Sequence, residues 1–498
     1  MDGTLIDIII AIVVISTFIA VLFLIVTDKL NRAIAALTGA IIIYFTLIFM
    51  KGDKITIFID LTFGTGGDYE NLHALVLILG MLFIVEICLS AGVFQFISFQ
   101  LIKMTKGNPM KLLLEICSIT LLVSSVLGGI LAIIVLIPIT FVVARILNID
   151  PIPYVFSQAL LIPIGEIFFS ISSVPVILIT TSAGVGFVEY FLNVGLFCLI
   201  LFLVTIVYVN LSYRNKLVAP KANLVAVLMK YNAWNYVPNK GTFYRSAFAL
   251  IAILVCFMVI PPPITPDIIA ITGAIVLVVV NKLNGREIIQ KLDLELLLYL
   301  LGIFFITGAM DHIQIIESIG QGLKDLVGGN PLLSLLTVLW LSAFLSSVID
   351  DIPVAKVLIP IVGIISFGQP HTLVNSSYYS LAFGTALGDN LTPLGDTVII
   401  KNISEQHGYE FSMGQYFKLG LKIGVIHLIA VSIYFTFFFN STIGLIIILC
   451  IAIVISLTIL LQYLNKRKKP HIQPVSETGN AEKNPLDAQE NPEANNSI

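Results

Sequence analysis

The sequence predicts an all-α polytopic membrane protein built from two inverted-topology repeats. Each repeat has about five spans plus a re-entrant hairpin and a discontinuous helix, and one extra C-terminal span follows. Three observations predict this. Hydrophobic residues make up 58% of the 498 residues and charged residues only 11%, with a mean hydropathy of +1.01, whereas an ordinary soluble domain is about 25% charged. Apolar runs long enough to cross a hydrocarbon core of about 30 Å recur along the chain. Short blocks of the first half also return in the second at near-constant spacing.

Residues 6–26 form the first span. Asp2 precedes it, Asp7 is its second residue, and Lys29 and Arg32 follow, the reverse of a signal peptide, so it is retained with the amino terminus outside. Residues 33–50 return to the outside, where Asp53, Asp60, Asp68 and Glu70 outnumber Lys51 and Lys54. Residues 72–92 cross inward to Lys103, Lys106 and Lys111. Residues 112–145 have basic flanks at both ends and break at Gly128-Gly129. Limbs of about 16 residues fall short of the roughly 20 that a span needs, which predicts a re-entrant hairpin with its irregular backbone packed in protein. Residues 154–181, interrupted at 162–166 and 170–175, predict a discontinuous span, and 188–209 a full one. The basic stretch from Arg214 and Lys216 through Lys221, Lys230, Lys240 and Arg245 is then cytoplasmic.

From Ser246 the pattern begins again. Leu37-Thr38-Gly39-Ala40 returns as Ile271-Thr272-Gly273-Ala274, Gly80 returns as Gly302, and Leu136-Ile137-Pro138-Ile139 returns as Leu358-Ile359-Pro360-Ile361, the last two 222 positions on. That spacing sets Gly128-Gly129 opposite Asp350-Asp351, and 223 sets Gly165-Glu166 opposite Gly388-Asp389. A hairpin adds no net crossing, so each repeat is odd and the second copy is inverted. Loop charges agree: 72–92 runs from acidic to basic flanks, while 295–310 runs from Lys282, Arg286 and Lys291 toward Asp311 and Glu317. Residues 331–368 then form a hairpin opening from the outside, 380–400 the second broken span, and 419–439 a crossing to the outside. Residues 442–463 return the chain to a basic cluster at 465–469. The domain plan is a first membrane repeat at 1–210, a basic cytoplasmic linker at 211–245, an inverted repeat at 246–440, an additional helix at 441–464, and a disordered cytoplasmic tail at 465–498.

Chemistry concentrates between Leu341 and Lys401. Asp350, Asp351, Asp389 and Asp396 stand in two Pro- and Gly-broken apolar segments, and each carboxylate at bilayer depth costs roughly 2.5 to 3.5 kcal/mol on insertion scales. Four together read as one site. Asp350, Asp351, Asp389 and Asn390 offer oxygen ligands that suit a hard cation such as Na+, and Ser346, Ser347 and Thr392 add hydroxyls. Glu166 stands where the repeat matches Asp389. Close carboxylates cannot all ionise in a low dielectric, so one is expected to hold a proton. The bland alternative is that some of these Asp residues only cap half-helices. Lys356, the sole cation inside the second hairpin, either exchanges an aspartate partner with an incoming ion or simply neutralises the pair. Lys401 snorkels to the interface, Glu86 and Glu115 are isolated, and His427 is intramembrane and lone. The five cysteines lie in apolar segments without paired spacing and read as packing residues.

These residues resemble the ion transporter superfamily, in the branch of arsenite permeases (ArsB) and NhaD-type sodium/proton antiporters, with the citrate and divalent-anion symporters as more distant relatives. Residues 27–40, 341–360 and 386–397 carry the resemblance, and with the repeat it spans residues 10–440. Ser346-Ser347-Val348-Ile349-Asp350-Asp351-Ile352-Pro353 is similar to the family's Asp-Asn-(Ile/Val)-Pro hairpin tip, and Asn390-Leu391-Thr392-Pro393-Leu394-Gly395 to its second broken-helix motif. Gly128-Gly129 departs from the Asn or Asp usual at the first tip, and Phe168-Phe169 from a Gly/Thr/Asn-rich break. The Ser-Asn-Thr signatures of the dicarboxylate relatives are missing from both halves, which argues against a citrate-like anion.

The resemblance implies a secondary active transporter in the cell membrane, a homodimer in which a scaffold holds a moving unit. The expected activity is Na+/H+ antiport, with arsenite or antimonite efflux and a small organic anion as alternatives. An intramembrane aspartyl protease is the outlying alternative: Ala386-Leu387-Gly388-Asp389 approaches Gly-x-Gly-Asp, but the first glycine is alanine and Asp350 follows isoleucine where tyrosine is required. No phosphate loop for ATP occurs, so no enzyme activity and no cofactor are expected. The partners are a small ion or molecule and membrane lipid. Nucleic acid is not expected, because the basic residues sit in short loops.

Overall fold

The structure, a computed structural model, describes residues 3–27, 29–64, 69–214, 216–260 and 264–439. The additional helix expected at 441–464 and the tail at 465–498 lie outside the described residues, as do Asp28 and Asp68. Among the described residues nine helices are long and apolar enough to cross a membrane. Both expected repeats fall within one compact unit, Met1–Ser441.

Local chemistry sets the start of both hairpins in the same way. Asn108 caps Pro109–Leu127, its Oδ1 accepting from the amides of Met110 and Lys111 at 3.1 Å each. Asn330 caps Pro331–Ser346 in the same way, accepting from Leu332 and Leu333 at 3.1 and 3.2 Å. The Asn accepts orphan amides, and proline at the first helical position has no amide to lose. This cap corrects the expected length of the first hairpin. Its limbs, Pro109–Leu127 and Gly129–Leu147, have 19 residues each, about 28 Å of helix. By length alone they reach across a membrane, so shortness does not mark this hairpin. The limbs of the second, Pro331–Ser346 and Asp351–Ser366, have 16 residues each.

The break itself marks the first hairpin. Gly128 has φ 77°, a left-handed conformation that glycine adopts without steric penalty. The two discontinuous spans break as expected, into Ile152–Glu166 with Val174–Ala183 and His371–Gly388 with Asp396–Gln406.

Two central helices, Glu70–Ser90 and Leu294–His312, tie the halves together. A Cβ added at Gly80 would lie 2.8 Å from the Ala270 backbone, and one added at Gly302 would lie 2.7 Å from that of Ala36. Each central helix thus presses a glycine onto a small residue of the other half, the close-packed contact that lipid-embedded helices use in place of a hydrophobic driving force. The long helices Phe187–Tyr213 and Met413–Phe439 meet where Thr205 Oγ1 and His427 Nε2 lie 3.0 Å apart, both buried. His427 is therefore not lone; its partner stands 222 positions earlier. Gly3–Val26 and Lys240–Val259 turn large apolar side chains such as Ile12, Phe23, Phe248 and Val259 outward, as a lipid-facing helix must.

Several elements escaped the sequence. Val93–Met104 and Ile315–Val327 are connecting helices of 12 and 13 residues, and the basic linker contains the helix Ala222–Lys230. The first follows Gly92 at φ 76°, and Gln95, Ser98 and Gln100 interrupt its apolar run.

Gly302→Val is expected to lower the stability of the detergent-purified protein by about 1–3 kcal/mol, because the new side chain meets backbone rather than a side chain that can turn away. Gly322→Ala, with no atom near its added Cβ, is expected to be neutral or stabilising. Thermal melts of the two variants check this.

Candidate substrate site

Both hairpin tips and both span breaks converge on a cavity of about 640 Å³. The tips and breaks touch one another. A Cβ on Gly129 would collide with carboxylate oxygens of Asp396 and Glu166, and one on Gly128 would lie 2.8 Å from the Ser172 carbonyl. The cavity also follows the central helices to a mouth at Arg32, Glu86, Lys291 and Asp293.

Seven carboxylates line this space, and five of them stand at the tips and breaks: Glu166, Asp350, Asp351, Asp389 and Asp396. Their positions on the half-helices are not equivalent. Asp350 precedes Asp351–Ser366 and accepts from the Ile352 amide at 3.0 Å, so the capping role applies to it. Asp351 and Asp396 are the first residues of their helices, where the partial positive charge of the N-terminus favours an anion. Glu166 ends its helix and Asp389 immediately follows another, at termini that repel an anion. Glu166 is compensated by the Gly129 amide, which donates to its Oε1 at 2.5 Å. Asp389 has only the Ser346 hydroxyl at 3.3 Å, and that hydroxyl lies closer, 2.6 Å, to the Thr385 carbonyl. One hydroxyl proton cannot serve both acceptors fully. Asp389 is the carboxylate with most to gain from a cation.

Ser346, Ser347 and Thr392 line the same cavity. Thr392 Oγ1 donates to the Ser347 carbonyl at 2.5 Å, tying the second break to the second tip. Asn390 does not face the cavity. It is buried behind it, with Nδ2 donating to the Leu160 carbonyl at 3.1 Å and Oδ1 accepting from the Tyr416 hydroxyl at 3.3 Å. It is a strut between the two broken spans. Among the described residues no three His, Cys, Asp or Glu side chains form a group that could hold a metal ion.

Lys356 departs furthest from expectation. It pairs with none of the cavity aspartates. Its Nζ donates to Asn71 Oδ1 at 2.5 Å and sits 4.8 Å over the Phe304 ring. Conversely, the mouth groups were not assigned to the site from sequence. Arg32 bridges Asp293 at 3.1 Å and Glu295 at 3.4 Å. Glu86 accepts from Ser90 at 2.8 Å and faces Lys291 at 3.8 Å. The sequence carries their signal: Glu86 is a carboxylate inside an apolar run, and Arg32 stands in the block 27–40 that carries the resemblance.

A family profile described as "CitMHS: Citrate transporter" matches residues 22–374. The chain belongs to this family. It is therefore a secondary transporter and an integral multi-pass membrane protein, not an enzyme. A "46 kDa membrane protein" of Mycobacterium leprae is 26% identical over 430 residues, covering 85% of this chain and 98% of the relative. The human "P protein" is 24% identical over 442 residues, covering 72% of this chain and 52% of that longer protein. Two solved structures share the fold: the YdaH transporter of Alcanivorax borkumensis (TM-score 0.58, 13% identity, covering 78% of this chain and 88% of that one) and MtrF of Neisseria gonorrhoeae (0.55, 14%, 79% and 84%). At such identities the likeness establishes fold alone. The motifs had pointed first to the ArsB and NhaD branch; the family shown is the citrate transporter one, within the same superfamily.

Asp389→Asn is expected to leave the thermal midpoint of the purified transporter unchanged or higher, since it removes an undercompensated charge. Asn390→Leu, which orphans the Leu160 carbonyl, is expected to destabilise by about 1–3 kcal/mol.

Proposed function

We propose that this transporter exchanges a small cation, Na+ first among them, for H+ at the acidic cavity. One observation carries the reading: the five carboxylates at the hairpin tips and span breaks line one cavity, while the described cations nearby are held by other groups. Lys356 turns to Asn71, Arg32 to Asp293 and Glu295, and Lys291 to Glu86 and Ser90. Such a wall attracts a cation when ionised and must hold protons when empty, so cation and proton compete for the same groups. Asp389 with Asp351 is the primary cation locus, with Glu166 and Asp396 as proton-holding partners.

Two inverted repeats supply the machinery for alternating access. The recurring Asn-Pro caps and the reciprocal glycine contacts support the inversion. The positive-inside rule makes the cavity mouth cytoplasmic. The second reading, citrate or a related anion, is favoured by the family description. A free polyanion would be repelled by this wall, so that reading requires cations bound with it. Arsenite is disfavoured because no cysteine among the described residues lines the cavity.

In everted vesicles loaded with acid, adding Na+ or Li+ is expected to relieve the quenching of a pH-sensitive dye, and Asp351→Asn with Asp389→Asn to abolish that response. No response to either ion, together with citrate uptake that depends on an added cation, would move the assignment to the second reading.

A further inference from the structure

We infer that Lys356 is a latch that seals the end of the transport path away from the cavity mouth, and that its lack of a counterpart at the mouth sets which way the carrier rests. Lys356 lies on the return limb of the second hairpin, Asp351–Ser366. Its ammonium binds Asn71, near the start of Glu70–Ser90, and covers Phe304 of Leu294–His312. The hairpin is thereby fastened to both central helices at once. Asn71 is itself held, its Nδ2 donating to the Thr62 carbonyl at 2.9 Å. Glu86 at the cavity mouth is 15 residues further along the same helix, about 22 Å away. The latch and the mouth are therefore at different depths along one rigid element.

Applying the 222-residue spacing to this contact gives its counterpart in the other half. Lys356 corresponds to Ile134, Asn71 to Asp293, and Phe304 to Leu82. In that half the corresponding contact is not made: Asp293 and Leu82 line the open cavity, Ile134 is 49% exposed, and Asp293 bridges Arg32 instead. One contact is thus closed in one half and open in the other, the asymmetry an inverted-repeat carrier needs in either end state. The halves are also chemically unequal. Closing the far end forms a charge-assisted hydrogen bond and a cation–π contact, whereas closing the mouth would bring isoleucine to the same place. The difference favours the state that opens through the mouth. Opening the far end requires the ammonium to leave Asn71 and Phe304.

This inference needs only that the chain is an alternating-access carrier, whichever solute it moves, so its test reads conformation and not flux. Ile130 lines the cavity and is 38% exposed, while Thr307, one turn from Phe304, is 2% exposed. In a variant lacking the native cysteines, Ile130→Cys and Thr307→Cys are labelled in oriented vesicles with a membrane-impermeant maleimide. Ile130→Cys is expected to react from the mouth side, and Thr307→Cys to be protected. Asn71→Ala and Lys356→Met are each expected to raise Thr307→Cys labelling from the far side about tenfold and to slow Ile130→Cys. Lys356→Arg should restore protection, and Asn71→Asp should deepen it, because it adds a charge to the pair. Should Lys356→Met fail to insert, the opposed Asn71 variants decide alone. Unchanged labelling in both Asn71 variants, or a shift in the same direction, would overturn the latch.

Discussion

A helix interrupted at bilayer depth leaves amides and carbonyls that hydrocarbon cannot satisfy, and this constraint organises the transporter. The chain interrupts itself four times and brings the interruptions together, so each is completed by another. The Gly129 amide at the first tip answers Glu166 at the first break. Thr392 at the second break answers Ser347 at the second tip. Asn390 reaches across to a carbonyl of the first broken span and is held from the other side by Tyr416. The cavity exists because these ends are mutually supported while their side chains still face a common space.

The same arrangement explains where charge resides. A carboxylate at a helix N-terminus is locally stabilised and is suited to a fixed structural role, as Asp350 illustrates. A carboxylate at a C-terminal end has the helix against it. Glu166 and Asp389 occupy the same place in the two halves and share that disadvantage. The first is relieved by a backbone amide, the second only by a shared hydroxyl. An electrostatic debt left open in the middle of a membrane is what an arriving cation or proton can discharge.

The repeat, the broken spans and the acidic cluster were legible in the sequence because each leaves a local trace: matching blocks, Pro and Gly in apolar runs, carboxylates where none should be. Orientation was not. Asn390 and Lys356 both stand in motifs rich in candidate ligands, yet one faces another helix and the other faces away from the cavity. Nothing in spacing says which way a long side chain turns when both directions offer a polar partner. The first hairpin's limbs were underestimated because the Asn-Pro cap precedes the apolar run. The motif Asn390 to Gly395 is shared across a superfamily, so it indicated a class of machine and left the branch open.

The contact between Thr205 and His427 has a consequence of a different kind. Both groups are buried, so a slide of one long helix along the other would leave a ring nitrogen unanswered in an apolar seam. One helical turn, about 5.4 Å, is enough to part them. The pair is therefore a pin: it fixes the register of Phe187–Tyr213 against Met413–Phe439 in a way that interchangeable leucines and isoleucines would not.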